Sequence, residues 1–147
     1  MRIAAFLCPV CTITDMAATD KDLVFRELAE AAGRVNLDKN VVYAALSARE
    51  RMGTTAVGNG YAIPHGKIHG LEKTLVTFAR SVKGVDFSAP DNAPCHFFFM
   101  VIAPENAVGQ HLGLLGSIAR LAKDATVTQR LMQAKSAEEI QAFLVGT

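Results

Sequence analysis

A histidine in a glycine-rich segment is the strongest candidate for chemistry in this sequence. Residues 58–67 read Gly-Asn-Gly-Tyr-Ala-Ile-Pro-His-Gly-Lys, so Pro64 fixes the backbone before His65, and Gly66 lets a bulky group approach the main chain. Neutral imidazole is a good nucleophile near pH 7, because its ordinary pKa is about 6.5. From the residues alone, a nucleophilic or ligand-binding His65 and a histidine that only hydrogen-bonds a loop are equally well supported.

Two further residues are candidates to hold an anion. Arg49 lies in the last turn of a predicted helix, and its planar guanidinium can bind two phosphate oxygens, although capping of its own helix is the better interpretation from the residue alone. His111 lies in the first turn of another predicted helix, where backbone N–H groups and the helix dipole favour an anion. It shares a stripe with Leu115 and Ile118, so an inward-facing core histidine is the alternative.

Metal and redox motifs are weaker. Cys8 and Cys11 have the spacing of redox and zinc motifs, but there is no second Cys-x-x-Cys pair, and the first lies near the chain terminus. We therefore expect two incidental thiols that form at most an adventitious disulfide. His65 and His69 have the spacing of a helical metal pair, but glycines at 66 and 70 disfavour a helix, so His69 is predicted to be a solvated loop residue. We expect no metal and no cofactor.

Composition excludes several classes of protein. The 147 residues carry a formal charge of +1, which argues against an electrostatic nucleic-acid binder, and the 50% hydrophobic content excludes intrinsic disorder. No apolar run approaches the roughly 20 residues that span a bilayer. The apolar run at residues 3–7 is shorter than the roughly 7 to 15 residues of a secretory signal, and three cysteines suit a reducing compartment. We therefore expect a cytoplasmic protein.

One α/β domain is predicted to position these side chains. Residues 95–103 are almost continuously apolar, which is typical of a central strand covered on both faces. Start and stop signals and apolar periodicity predict helices near 19–33, 37–53, 108–123, 127–134 and 136–144, and extended segments near 54–57, 61–63, 74–81 and 85–87. The pattern predicts a three-layer α/β sandwich, with a mixed sheet of about five strands and helices on both faces. We expect residues 1–18 to form a flexible N-terminal arm and residues 19–147 to form the single domain.

The amino-acid sequences of several segments indicate a family. Residues 46–68, with their Gly-Asn-Gly and Ala-Ile-Pro-His-Gly-Lys motifs, resemble the enzyme IIA domains of the mannitol/fructose class of the bacterial phosphoenolpyruvate-dependent phosphotransferase system. The motif around His65 looks most like the nitrogen-regulatory type. The resemblance extends over residues 15–146, through the helix of His111 to the capping box at Ser136–Glu139.

This resemblance implies specific roles for the candidate residues. It implies that His65 accepts a phosphoryl group from the phosphocarrier protein HPr, and that Arg49 and His111 stabilise the phosphate. It also implies that the partners are HPr and either regulatory target proteins or a IIB protein, with no nucleic acid and no insertion into a membrane. Tyr61 departs from the family, which more often has isoleucine or valine there, and we expect it to alter partner contacts.

Other functions are open at this level. A sugar-specific IIA subunit would pass the phosphate to a IIB protein instead of signalling through its phosphorylation state. A phosphorylation-independent binding module would use the His65 loop only as a contact surface. A metal-dependent hydrolase would use His65, His69 or His111 as ligands.

Overall fold

The structure, a computed structural model, describes residues 2–147. Within this range, no helix combines the length and the apolar character that crossing a membrane requires. The helices are α1 (Lys21–Ala32), α2 (Lys39–Glu50), α3 (Val108–Leu121), α4 (Ala125–Gln133) and α5 (Ala137–Val145). The strands are β1 (Ala56–Gly58), β2 (Tyr61–Ala62), β3 (His65–Ile68), β4 (Leu75–Val85) and β5 (Cys95–Pro104).

The apolar strand β5 lies at the centre of a mixed sheet. It pairs with β4 in the antiparallel direction, and with β2 and β3 in the parallel direction. β2 and β3 share one register against β5, with a constant 36-residue offset, and the amide of Val101 donates to the carbonyl of Pro64 at 2.9 Å. They are therefore two halves of one strand, interrupted at Ile63 and Pro64. β1 lies outside β2 and is antiparallel to it.

Side chains of β5 alternate between two apolar cores, one on each face of the sheet. The core on one face contains Phe98, Met100 and Ile102 together with buried residues of α1 and α2. The core on the other face contains Phe97, Phe99 and Val101 together with buried residues of α3, α4 and α5. This arrangement confirms the predicted three-layer sandwich and explains why the strand is continuously apolar from Phe97 onward.

Local capping signals place the helix starts. The carboxylate of Asp20 accepts from the amide of Leu23 and caps α1. At α5, Ser136 accepts from the amide of Glu139, as in the predicted capping box, and Glu139 accepts from the amide of Lys135, one residue before the N-cap. The helix predictions are confirmed with boundaries that shift by a few residues.

The expectation of a flexible N-terminal arm is wrong for the residues that the structure describes; Met1 lies outside them. The segment buries apolar side chains, among them Ile3, Ile13 and Met16, against the rest of the chain. It also runs alongside β4. The amide of Cys8 donates to the carbonyl of Val76 at 2.9 Å, and the amide of Ile13 donates to the carbonyl of Phe78 at 3.0 Å. The apolar area buried and these backbone bonds together order the segment.

The two cysteines expected to be incidental thiols are joined. A disulfide links Cys8 and Cys11 across one turn of 3-10 helix, and both residues are buried. The third cysteine, Cys95, is buried in β5, and burial raises the pKa of its thiol to about 12. A thiol with that pKa is protonated and unreactive near neutral pH.

Candidate functional site

His65 is the first residue of β3, directly after the interruption at Ile63 and Pro64. Its register partner Val101 belongs to the core of α3, so its half-buried side chain lies on the α3 face of the sheet. Nδ1 of His65 lies 2.7 Å from the carbonyl oxygen of Ile63. A carbonyl only accepts hydrogen bonds, so this contact assigns the proton to Nδ1 and leaves Nε2 with a free lone pair.

Electrostatics keep His65 neutral near pH 7. Burial lowers the pKa of the imidazole, and the positive charges of Arg49 and Lys67 lower it further. The hydrogen bond to Ile63 and the negative charge of Glu50 act in the opposite direction but are outweighed. The ring is therefore a neutral nucleophile, which is the form that a group-transfer reaction requires.

His111 lies in the first turn of α3 and faces His65. The two ring centroids are 5.2 Å apart, and His111 is only 4% exposed. Burial, followed by the charges of His65 and Lys67, lowers the pKa of His111 to about 4. Its buried Nδ1 has no hydrogen-bond partner among residues 2–147, so part of its hydrogen-bonding capacity is unused. The structure thus shows the inward-facing position that the sequence offered as an alternative, and the site role of His111 stays a prediction.

The start of α3 adds donors to this region. The residue before the helix, Ala107, provides no side-chain cap, so the first amides of α3 are not satisfied by a capping oxygen. The amide of His111 itself donates to the carbonyl of Ala107 at 3.0 Å. Uncapped amides and the positive end of the helix dipole favour an anion beside His111.

Arg49 approaches from the opposite face of the sheet. It lies in the last turn of α2, and α2 packs closely on β3 because Gly66 has no side chain: an added Cβ there would lie 3.0 Å from Cβ of Ala45. Nη1 of Arg49 donates to the carbonyl of Gly53 at 2.9 Å, so it binds the turn after α2 and not a carbonyl of its own helix. The guanidinium is nevertheless close enough to lower the pKa of His65. The structure therefore brings the two histidines into contact and Arg49 within electrostatic range.

The metal alternative has no support in the described part of the chain. His69 follows β3 with its side chain 92% exposed, and its Nδ1 lies 3.3 Å from a carboxylate oxygen of Glu105. No group of three or more histidine, cysteine, aspartate or glutamate residues is arranged to hold a metal within residues 2–147. The prediction of a solvated loop position for His69 agrees with this exposure.

Tyr61 does not reach the surface, so the expectation that it alters partner contacts is wrong. Its side chain is fully buried against Phe97 and Phe99, and its hydroxyl lies 2.9 Å from that of Thr128. The ring fills the core beneath the site, and the hydroxyl finds a partner in α4. A buried tyrosine with a satisfied hydroxyl is a packing residue.

Sequence reasoning missed several groups around His65. The carbonyl of Ile63 is a backbone atom, and no side-chain pattern reveals it. Glu50 and Thr55 contact each other through the carboxylate, yet the sequence shows only a glutamate between two arginines and a threonine five residues later. Lys67 belongs to the motif around His65, yet the sequence does not show that its charge lowers the pKa of both imidazoles.

Taken together, the site contains a neutral nucleophilic nitrogen, a buried neutral imidazole, cationic side chains and uncapped helix amides. This combination suits transfer of an anionic group to Nε2 of His65. Positive charge and N–H donors stabilise the equatorial oxygens of a phosphoryl group in flight, and little other covalent chemistry is needed.

Comparison with known proteins points to one family. Residues 6–146 match the family described as the phosphoenolpyruvate-dependent sugar phosphotransferase system, EIIA 2. The chain is 37% identical to a nitrogen regulatory protein of Bradyrhizobium diazoefficiens over 98% of this chain and 95% of that protein. It is 38% identical to the fructose-specific EIIA component of Haloferax volcanii, over 80% of this chain and 76% of that one. The crystal structure of the nitrogen regulatory protein IIA-Ntr from Neisseria meningitidis superposes with a TM-score of 0.90, at 34% identity, covering 97% of this chain and 98% of that chain. Because the family match spans residues 6–146 and the nitrogen regulatory relatives cover nearly the whole chain, the chain belongs to the EIIA type 2 family of the phosphotransferase system.

Proposed function

We propose that this chain is a regulatory phosphocarrier that accepts a phosphoryl group from phosphorylated HPr on His65. Its phosphorylation state would signal nitrogen, carbon or potassium status to target proteins, and the reaction would take place in the cytoplasm. The observation that carries the proposal is the hydrogen bond from Nδ1 of His65 to the carbonyl of Ile63, because it leaves Nε2 as the nucleophile.

The proposed step balances without a cofactor. The lone pair of Nε2 attacks phosphorus and forms the N–P bond, while the bond from phosphorus to the donor breaks and its electron pair stays with the donor. The ring keeps its Nδ1 proton throughout, so it becomes cationic as the phosphoryl group arrives. The carbonyl of Ile63, 2.7 Å away, stabilises that positive charge.

Each remaining site residue has a place in this step. Arg49 and the uncapped amides of α3 provide positive electrostatic potential for the phosphoryl oxygens. His111 is neutral, so it has one N–H to donate and adds no charge that would repel the cationic ring of His65. Its unpartnered Nδ1 makes it available to a new hydrogen-bonding group.

Exposed apolar side chains beside these residues suit docking of a donor protein. Met52 is 83% exposed three residues after Arg49, and Leu112 is 62% exposed directly after His111. Val108, at the start of α3, is also exposed. Apolar side chains around a polar centre are typical of the buried core of a protein–protein interface.

The test is transfer of phosphate from phosphoenolpyruvate through enzyme I and HPr. We expect an acid-labile mass increase of about 80 Da, one phosphoryl group, in the wild type and none in His65→Ala. His69→Ala is the matched control, since this histidine is exposed and outside the site, and it should label like the wild type. Unchanged labelling of His65→Ala would reject the site, and absence of labelling in the wild type would favour the phosphorylation-independent binding module.

A sugar-specific IIA subunit is the second candidate, and the 38% identity to a fructose-specific EIIA component supports it. In that case the phosphoryl group passes to a IIB protein. Candidate IIB proteins added to the purified phosphorylated chain would then remove its phosphoryl group much faster than it is lost by spontaneous hydrolysis. Phosphorylation that persists in their presence is the outcome expected of the regulatory function.

A further inference from the structure

Glu50 is a buried carboxylate next to Arg49. It is the last residue of α2, and its side chain is only 5% exposed. A negative charge at the C-terminal end of a helix faces the negative end of the helix dipole, and burial adds a desolvation cost. A group in such an unfavourable position requires compensating contacts.

Those contacts come from two directions. One carboxylate oxygen of Glu50 accepts from the hydroxyl of Thr55 at 2.6 Å, and the other accepts from the amide of Thr55 at 3.0 Å. Nζ of Lys21, at the start of α1, lies 2.9 Å from the same carboxylate. Glu50 therefore ties the end of α2 to Thr55, across the turn that follows Arg49, and to α1.

A chain of hydrogen bonds leads from Thr55 to the proposed nucleophile. The carbonyl of Thr55 accepts from the amide of Ile63 at 2.9 Å, and the carbonyl of Ile63 lies 2.7 Å from Nδ1 of His65. The links run through Thr55 and Ile63, where the bonded N–H and the C=O that continues the chain of hydrogen bonds flank the same α-carbon. The carboxylate thus determines where the Ile63 carbonyl lies, and that carbonyl determines the tautomer and orientation of the ring.

We infer that Glu50 is a positioning residue for phosphoryl transfer, which acts through Thr55 and Ile63 to hold His65 with Nε2 free and which also fixes the turn beside Arg49. The inference rests on the proposed function for its kinetic consequence, but its structural part concerns the ring alone. The negative charge of Glu50 also opposes the pKa-lowering effects of burial, Arg49 and Lys67 on His65. Two separate signals of His65, its tautomer and its pKa, therefore report on Glu50.

The test compares Glu50→Gln with Glu30→Gln in the full chain. Glutamine keeps the size and one acceptor oxygen but removes the charge, and Glu30 is a matched control because it forms an exposed ion pair with Lys39. Nitrogen NMR of the imidazoles is expected to show a lower pKa and a mixture of tautomers for His65 only in Glu50→Gln. Phosphoryl uptake from phosphorylated HPr should slow about 10- to 100-fold in that variant, the range expected for a misplaced reacting group.

A second pair of variants keeps the test informative if Glu50→Gln unfolds. Thr55→Val removes the hydroxyl that the carboxylate binds, and Thr55→Ser retains it. Slow uptake and mixed tautomers in Thr55→Val, with recovery in Thr55→Ser, are the expected results. A wild-type tautomer and uptake rate in folded Glu50→Gln or Thr55→Val would overturn the inference. If the wild type takes up no phosphate, the proposed function fails, while the NMR comparison still decides whether Glu50 positions the ring.

Discussion

The imidazole rings of His65 and His111 lie with their centroids 5.2 Å apart and their planes inclined at 55°. One ring comes from a sheet strand and the other from the helix that covers it. Protonation of both would place two positive charges side by side in a largely buried position, and the pKa of each ring is lowered. Both imidazoles are therefore neutral at pH 7.

The pKa of His111 should respond to phosphorylation of its neighbour. It is about 4 in the unmodified protein, because burial and the adjacent positive charges disfavour the cation. A phosphoryl group on His65 brings negative charge close to the ring, which favours the protonated form, so we expect the pKa to rise. NMR titration of the phosphorylated and unmodified protein measures this directly, and a pKa that stays near 4 after phosphorylation would contradict the placement of the phosphate beside His111.

The stability of the fold should decline in weakly acidic solution. The pKa of His111 is about 4 in the folded state, compared with about 6.5 for an unfolded histidine. Between pH 6.5 and pH 4 the unfolded chain binds more protons than the folded protein does. The free energy of unfolding therefore has its full value above pH 6.5 and decreases as the pH falls toward 4. His65, whose pKa is also lowered, adds to the same trend.

Urea unfolding at several pH values checks this trend. His111→Gln should show a smaller loss of stability between pH 6.5 and 4 than the wild type, because one of the two contributing imidazoles is gone. His69→Gln is the control and should follow the wild-type curve, since its side chain is exposed. Identical curves for the wild type and His111→Gln would contradict the assignment.

The close packing of α2 on β3 should make Gly66 intolerant of any side chain. In Gly66→Ala the new Cβ would meet Cβ of Ala45 at 3.0 Å and the carbonyl oxygen of Ala45 at 3.2 Å, so the helix must move away. Overpacking of this kind costs about 1–3 kcal/mol, and the shift carries Arg49 away from His65. We expect lower stability together with slower phosphoryl uptake.

A second glycine provides the comparison for this variant. An added Cβ at Gly33 meets nothing within 4 Å, and its φ of −60° suits any residue. Gly33→Ala should therefore retain both the wild-type unfolding midpoint and the wild-type uptake rate. Equal behaviour of the two variants would show that α2 does not rest on Gly66 as described.

Arg80 should be among the most sensitive positions for stability, although it is remote from the chemistry. Its buried guanidinium donates to the carbonyls of Thr14, Leu131, Met132 and Ala134, which joins the N-terminal segment to the end of α4. Arg80→Met would leave these carbonyls without a donor, and we expect a loss of about 3 kcal/mol in the free energy of unfolding.

The control for Arg80→Met is Arg26→Met. Arg26 forms an exposed ion pair with Asp22, and solvent screening makes the contribution of such pairs to stability small. Denaturant unfolding of both variants separates the two situations. A change of less than 1 kcal/mol in Arg80→Met would contradict the structural role of its guanidinium.

The elements that could be predicted from sequence are those specified by nearby residues. Asp20 and Ser136 cap helices through contacts three residues away, and the apolar run of β5 is recognisable by itself. β3 was not predicted as a strand, because its residues His-Gly-Lys-Ile show no strand pattern and extend only through pairing with β5, 36 residues away. Tertiary pairing determines such an element, not local propensity.

The candidate site was likewise predictable only where nearby residues specify it. The motif around His65 indicates the candidate nucleophile, but the contact with His111 depends on how α3 lies on the sheet. The hydrogen bonds that lead from Glu50 to His65 continue through the backbone carbonyls of Thr55 and Ile63, and a backbone carbonyl is the same in every residue. A sequence therefore indicates which groups react and gives little indication of which groups hold them.

The backbone bonds between the N-terminal segment and β4 have a consequence for solubility. They satisfy outward-facing N–H and C=O groups along β4 at Val76, Phe78 and Arg80. A chain shortened to residues 19–147 would leave those groups open and would uncover the apolar side chains beneath residues 3–16. An unpaired strand of this length is a template for edge-to-edge association between molecules. The N-terminal segment thus covers the outer side of β4 and prevents it from pairing with the sheet of another molecule.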